Sequence, residues 1–503
     1  MVTRLPLPAL PHTPQVLLRE RLRASEADGL DALLAIVPAA TPAAALAAFP
    51  YPERWRGLNS QSRPSAGTVR STSLPNARQT RAVLGYLRPE ASAFERLALA
   101  GRMLKETAVR EPERIALAAP ADRAALEALL SGALAQACAL PQFRHAQSRA
   151  RAIRRLLVLG GGGLDLARIQ AVARANNLAR FLTALPPNVL DARAYRRLLA
   201  EQARAHRLQM RWLDEPALRR LGANAFLAVS AGNAERTAGI AHLRYRPPRR
   251  RRGTPDVALI GKGILFDTGG TNLKPHRSML DMHIDMSGSA VALATLLALA
   301  QLRAPIAADA WLAMTENRIG PSAYIPQEVV RAANGLTIQV IHTDAEGRMV
   351  LADTLALAGR RKPRLMLDFA TLTGACVYSL TERMSGVFTN EPRLAEPLLA
   401  AGRTSGERVW PFPFDADYDS DLESRVADIM QCAPEGKGDH ILAARFLSRF
   451  VPAGTAWVHL DLSAALRSGG LGHINTDITG FGVRYALELL LSGKVLAQLE
   501  RAA

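Results

Sequence analysis

The chain of 503 residues has only three cysteines, Cys138, Cys376 and Cys432. They are scattered and without metal-type spacing, which argues against a disulfide framework and fits a reducing compartment. Residues 1–19 contain prolines and no apolar h-region, so no signal peptide is visible and a cytoplasmic location is the simplest expectation. The longest Ala/Leu-rich run, residues 290–302, is too short to span a bilayer and reads as a buried helix, so no membrane partner is expected. Internal repeats are missing. So are a helix-turn-helix, a zinc finger and an aromatic stacking motif, the usual marks of a dedicated nucleic-acid binder.

What is present is globular: 49% hydrophobic and 21% charged residues, with length enough for two domains and a large core. The one global oddity is a formal net charge of +18. Its densest cluster is Arg244-Tyr245-Arg246-Pro247-Pro248-Arg249-Arg250-Arg251-Arg252, between apolar runs at 239–243 and 257–260. That placement predicts an exposed loop joining strands. Such a run is either simply solvated or a contact for nucleic-acid phosphates, which need only clustered Arg and Lys.

Organisation along the chain is coarse. Residues 1–165 are rich in Ala, Arg and Leu, and segments 121–138 and 149–159 suggest alternating helices and short strands. Gly160-Gly161-Gly162-Gly163 reads as a loop before an interdomain helix over 164–184. Beyond it, strands at 257–260, 308–313, 365–369 and 456–460 alternate with helices. The expected fold is α/β in two domains: a smaller N-terminal α/β domain (1–165) and a C-terminal domain (166–503) with a central mixed sheet flanked by helices.

The chemistry concentrates in two clusters. In Thr343-Asp344-Ala345-Glu346-Gly347-Arg348 the charged residues lie at i, i+2 and i+4, so an extended segment would send all three from one face. Two carboxylates there suit a divalent cation, and the guanidinium suits an anion or a developing oxyanion. A solvated turn after a strand is the plain alternative. The second cluster runs Gly261-Lys262-Gly263-Ile264-Leu265-Phe266-Asp267-Thr268-Gly269-Gly270-Thr271-Asn272-Leu273-Lys274-Pro275, after the apolar strand 257–260 and the loop residue Asp256. A phosphate loop is excluded because the Walker order of glycines followed by Lys-Ser/Thr is missing. Two lysines instead bracket an Asp, which suits a site holding both a metal and an anionic intermediate. Asp285, in Met282-His283-Ile284-Asp285-Met286, precedes a long Ala/Leu run, where its simplest role is a helix cap or first-turn acid.

These residues carry a resemblance. The pattern KGxxxDTGGxxLKP, then Asp285-Met286 before an Ala-rich helix, then TDAEGR, resembles the leucine aminopeptidase (cytosol aminopeptidase) family of two-metal exopeptidases. Asn177-Leu178-Ala179-Arg180 with Pro186-Pro187-Asn188, then Ala370-Thr371-Leu372-Thr373-Gly374-Ala375, then Trp457-Val458-His459-Leu460-Asp461 extend it in order over residues 175–495. It implies a metalloprotease hydrolysing the N-terminal peptide bond of peptides, with Leu-like residues preferred.

By the same resemblance Lys262, Asp267, Asp285, Asp344 and Glu346 match five ligands of two divalent ions, zinc or manganese. Asp267 and Glu346 would bridge both ions, Lys262 and Asp285 complete the tighter site, and Asp344 the more exchangeable one. A ligating lysine must be neutral, which a nearby dication favours. Two such ions hold a water as hydroxide and polarise the scissile carbonyl. Lys274 and Arg348 match the non-ligand catalytic pair, Lys274 on the oxyanion and Arg348 holding bicarbonate as a general base. Met282, Thr371, Leu372 and Gly374 match the substrate pocket. The resemblance further implies a homohexamer. Some bacterial members of the family also bind DNA, so a DNA-binding or assembly protein on this fold, with aminopeptidase activity secondary, is the alternative. Three departures bear on metal and side-chain preference: His342 in place of Asn, His283 in place of Lys or Arg, and Phe481-Gly482 in place of Arg-Pro.

Overall fold

The computed structural model describes residues 5–60, 64–145, 152–248, 250 and 253–500. Two α/β domains follow one another along the chain. In the first, six strands lie in the order Gln15–Arg19, Arg155–Leu159, Arg114–Ala118, Ala32–Pro38, Arg81–Leu87 and Val69–Ser73. All neighbours are parallel except the last pair. The central strands read as near-continuous apolar runs because helices cover both faces. Leu99, Met103, Leu129 and Leu130 of the helices Ala93–Ala108 and Arg123–Gln136 pack on one face. Trp55 of the helix Pro52–Ser60 packs on the other.

The helix Leu166–Thr183 joins the domains, opened by Asp165, whose side chain accepts the Arg168 N–H. Its Ile169 and Ala173 sit in the first core, while Val172, Ala179 and Phe181 sit in the second. That helix and the preceding glycine loop lie where the sequence placed them.

The second domain has an eight-stranded mixed sheet in the order Val409–Pro411, Ser385–Thr389, Ala456–Asp461, Leu365–Ala370, Val257–Asp267, Ala308–Asn317, Gly239–Tyr245 and Gln209–Asp214. Its four central strands are parallel. Ser287–Gln301 covers one face and Glu346–Gly359 the other. Each expected strand is present, but the one starting at Val257 runs on to Asp267, through Gly261 and Gly263, instead of ending at 260. Partners on both sides hold it: it pairs with Ala308–Asn317 along most of its length and with Leu365–Ala370 over its first half. Gly261 and Gly263 face Ser289, so their missing side chains let the helix Ser287–Gln301 sit close to the sheet.

With the turn before it, that helix forms a 20-residue apolar stretch, Met282–Gln301, long enough to cross a membrane, contrary to the length expected. Its most apolar window is 83% buried inside the protein, as a core helix requires. Of the basic run, Arg249, Arg251 and Arg252 lie outside the described residues. Arg250 is bound to its own protein, with Nη1 2.6 Å from Asp256 Oδ1 and Nη2 donating to Thr254 O at 3.0 Å.

Candidate active site

The site lies at the C-terminal ends of the parallel strands, where open α/β sheets bind ligands. Lys262 and Asp267 are five apart on one strand, a spacing that sends side chains to opposite faces of a regular ladder. The ladder is not regular. Lys262 pairs with Ala313 and Asp267 with Asn317, five residues against four, so a bulge near Thr315 restores the parity and turns both side chains toward one site. Both are buried. Gly347 makes room for the lysine: a Cβ there would lie 2.6 Å from Lys262 Nζ.

Asp285 does not cap the helix that follows it. The cap position is Met286, without a side-chain bond, and Asp285 sits one residue earlier in a 3-10 turn, Met282–Met286. Its Oδ1 lies 2.8 Å from Lys262 Nζ and accepts from Thr371 Oγ1 at 2.7 Å. Lys262 and Thr371 hold it in the site.

The segment 344–348 is not extended either. The helix Glu346–Gly359 starts inside it, with Asp344 still in the loop. Helical geometry therefore splays the three charges. Asp344 Oδ1 meets Lys274 Nζ at 2.6 Å, Glu346 Oε1 meets Lys262 Nζ at 3.0 Å, and Arg348 Nη2 turns to Asp439, 2.8 and 2.9 Å from its two oxygens. Lys274 Nζ also lies 2.9 Å from Asp267 Oδ2.

Four carboxyl groups thus converge with two ammonium groups in a largely buried site, a formal excess of two negative charges when all four are ionised. Oxygens of Asp267, Asp344 and Glu346 lie within 4.8 Å of one another. Burial, then the neighbouring Asp267, push the Glu346 carboxyl up to about 8. Burial likewise raises Asp285 to about 6, against the pull of Lys262, and raises Asp344. Burial alone would lower Lys262, but Asp285, Glu346 and Asp267 outweigh it and hold the ammonium charged. The same balance, from Asp267, Glu346 and Asp344, keeps Lys274 above its usual value. Asp285 Oδ2 and Glu346 Oε2 are buried with no hydrogen-bond partner. Unpartnered buried carboxylate oxygens beside excess negative charge fit divalent cations.

Thr371 and Leu372 edge the site. Thr371 O accepts from Lys262 Nζ at 2.9 Å, and the Leu372 N–H donates to Asp461 Oδ1 at 3.1 Å. Gly374 opens the helix Gly374–Leu380 and is exposed, and Met282 is half-buried in the turn of Asp285. His342 is exposed, its Nδ1 accepting the Asp344 N–H at 3.3 Å, a turn contact. His283 is half-buried, and burial lowers its pKa. Phe481 packs in the core.

Three supporting residues escaped the sequence reading. Asn317 Nδ2 donates to Asp267 Oδ1 at 2.8 Å and to Thr343 O at 3.0 Å, orienting one carboxylate against the other loop. Gln431 clamps that loop by accepting the Ile341 and His342 N–H groups and donating to Ala345 O. Asp439 holds Arg348, and its one sequence signal is the Gly436-Lys437-Gly438 turn before it.

Residues 177–487 match the profile of the cytosol aminopeptidase family, catalytic domain. A probable cytosol aminopeptidase from Synechococcus sp. (strain CC9605) is 40% identical over 331 residues, 65% of this chain and 66% of the relative. One from Stutzerimonas stutzeri (strain A1501) is 40% identical over 341 residues, 65% of this chain and 67% of the relative. The matched region therefore spans about two thirds of those relatives' own length. Among solved structures, the bottromycin maturation enzyme BotP is 30% identical with a TM-score of 0.79, covering 92% of this chain and 99% of BotP. A point mutant of tomato leucine aminopeptidase is 26% identical with a TM-score of 0.84, covering 98% of this chain and 99% of the other. The chain belongs to the cytosol aminopeptidase family.

Proposed function

We propose that this protein is a cytoplasmic metalloaminopeptidase that releases N-terminal residues from peptides, with Leu-like side chains preferred. The observation that carries the reading is the cluster Asp267, Asp285, Asp344 and Glu346. Asp267, Asp285 and Glu346 are buried and Asp344 half-buried, carboxylates outnumber ammonium groups, and Asp285 and Glu346 retain oxygens without a hydrogen-bond partner. With Lys262 these residues would hold two divalent ions, zinc or manganese. BotP has been solved in complex with Mn, and its 31% identity to this chain supports that choice. When bound, the ions supply an activated water and polarise the scissile carbonyl.

The chain's own groups do the rest. Lys274 holds an ammonium between Asp267 and Asp344, where it would stabilise developing negative charge on the carbonyl oxygen. Thr371 and Asn317 fix the carboxylates by hydrogen bonds, so little reorganisation accompanies the reaction. Met282, Thr371, Leu372 and Gly374 would contact the first residue of the peptide, and the apolar Met282 and Leu372 suit an aliphatic side chain. Arg348 supplies a buried guanidinium charge two residues after Glu346, and its Nη2 is held by the Asp439 carboxylate.

Hydrolysis of leucine p-nitroanilide, but not of its N-acetylated form, is expected once Mn²⁺ or Zn²⁺ is added, with loss on chelation. Equal cleavage of the blocked substrate, or none of the free one, would sink the reading. A homohexamer is part of the same proposal, since closed symmetric assemblies are the usual outcome for such chains. Light scattering on the active fraction checks it, and a stable, active monomer would overturn that part alone.

A further inference from the structure

We propose that Asp439 is the resident anion of this active site: its carboxylate takes the anion-binding edge of Arg348, so that hydrolysis needs no bicarbonate or other free anion. The inference rests on the aminopeptidase reading for its kinetics, but not for its geometry. Arg348 is a buried cation, with 3% of its side chain exposed, two residues after Glu346. A guanidinium removed from water requires a counter-charge. The chain supplies one. Nη2 lies within 2.9 Å of both Asp439 oxygens, while Nη1 reaches only the backbone oxygen of Gln431 at 3.3 Å.

The carboxylate is built into place. Asp439 is the first residue of the helix Asp439–Ser448, where the helix dipole favours a negative side chain. Gly438 before it has φ 61°, a left-handed conformation that glycine adopts without strain, and it turns the chain into that helix. Asp439 is itself 25% exposed at its side chain. It therefore links the buried guanidinium to solvent. With Nη2 taken by this carboxylate and Nε the one nitrogen left without a partner, an incoming anion would lose the two-nitrogen contact that a guanidinium offers an oxyanion. Asp439 in this sense is a positioning residue that acts through Arg348.

The test compares the metal-loaded parent with Asp439→Asn and Asp439→Ser, each first shown to be folded by circular dichroism. Rates are measured in buffer freed of carbon dioxide, with and without added bicarbonate. The parent rate is expected to be the same in both. The variants are expected to fall by roughly 10- to 100-fold without bicarbonate, the usual cost of losing a group that orients a reacting one, and to recover when it is added. Severalfold stimulation of the parent by bicarbonate overturns the proposal, as do variants that are fully active and indifferent to the anion. Thermal melts give a second readout that needs no turnover: bicarbonate should raise the midpoint of Asp439→Ser and leave the parent unmoved. If the parent cleaves no amide at all, the aminopeptidase reading fails, while the melts still decide the role of Asp439.

Discussion

Glu346→Ala is expected to abolish peptidase activity and to lower the metal content while leaving the protein folded. Glu346 meets Lys262, and burial, then Asp267, push its carboxyl well above its ordinary range. Its Oε2 is buried without a hydrogen-bond partner, as is Asp285 Oδ2, so it has an unmet demand for a cation. The fold should survive, because the helix it opens is held by Met349, Val350, Leu351 and Leu355 in the core, not by the charge at its first turn. The rate should fall further than the roughly 10² to 10³ that loss of one oxyanion donor costs, since the charge holding the ions is lost with it. Metal analysis by plasma spectrometry and circular dichroism check the two halves separately. A folded variant that retains two ions and near-normal turnover would show that Glu346 is not a ligand.

Much of this site was legible before any coordinates, and the reasons differ by residue. Lys262, Asp267, Lys274, Asp344 and Glu346 stand in two short runs whose residue types make chemical sense together, so local sequence was enough to single them out. How they face one another was not legible. The bulge that aligns Lys262 with Asp267 arises from pairing with Asn317, fifty positions along the chain from Asp267. The helix start at Glu346 replaced an extended segment because an apolar face from Met349 onward finds a sheet to cover. Asp285 looked like a helix cap because a cap needs only its neighbours, whereas its bond to Thr371 spans 86 positions. The order of the eight strands likewise follows from crossovers and not from local pattern. Asp439 was invisible for the same reason: nothing near residue 439 announces Arg348, 91 positions earlier.

Lys274→Ala separates chemistry from metal binding. Lys274 closes one side of the cluster, its Nζ 2.9 Å from Asp267 and 2.6 Å from Asp344. Those carboxylates keep it charged, against the effect of burial, so it brings a fixed positive charge to the place where a substrate oxygen gains negative charge. It differs from Lys262, which is enclosed by Asp285 and Glu346 and almost without exposure; Lys274 is 14% exposed at its side chain. The expected result is therefore a kcat lower by roughly 10² to 10³ with metal stoichiometry unchanged. KM should change little, because the interaction strengthens only as the oxyanion forms. The pH profile should keep its shape, since a lysine held above its usual value does not titrate in the working range. Loss of the ions in this variant would make Lys274 part of the metal-holding framework. A higher KM with unchanged kcat would instead assign it to ground-state binding. Either outcome would remove it from the chemical step and leave the oxyanion without a charged donor from this chain.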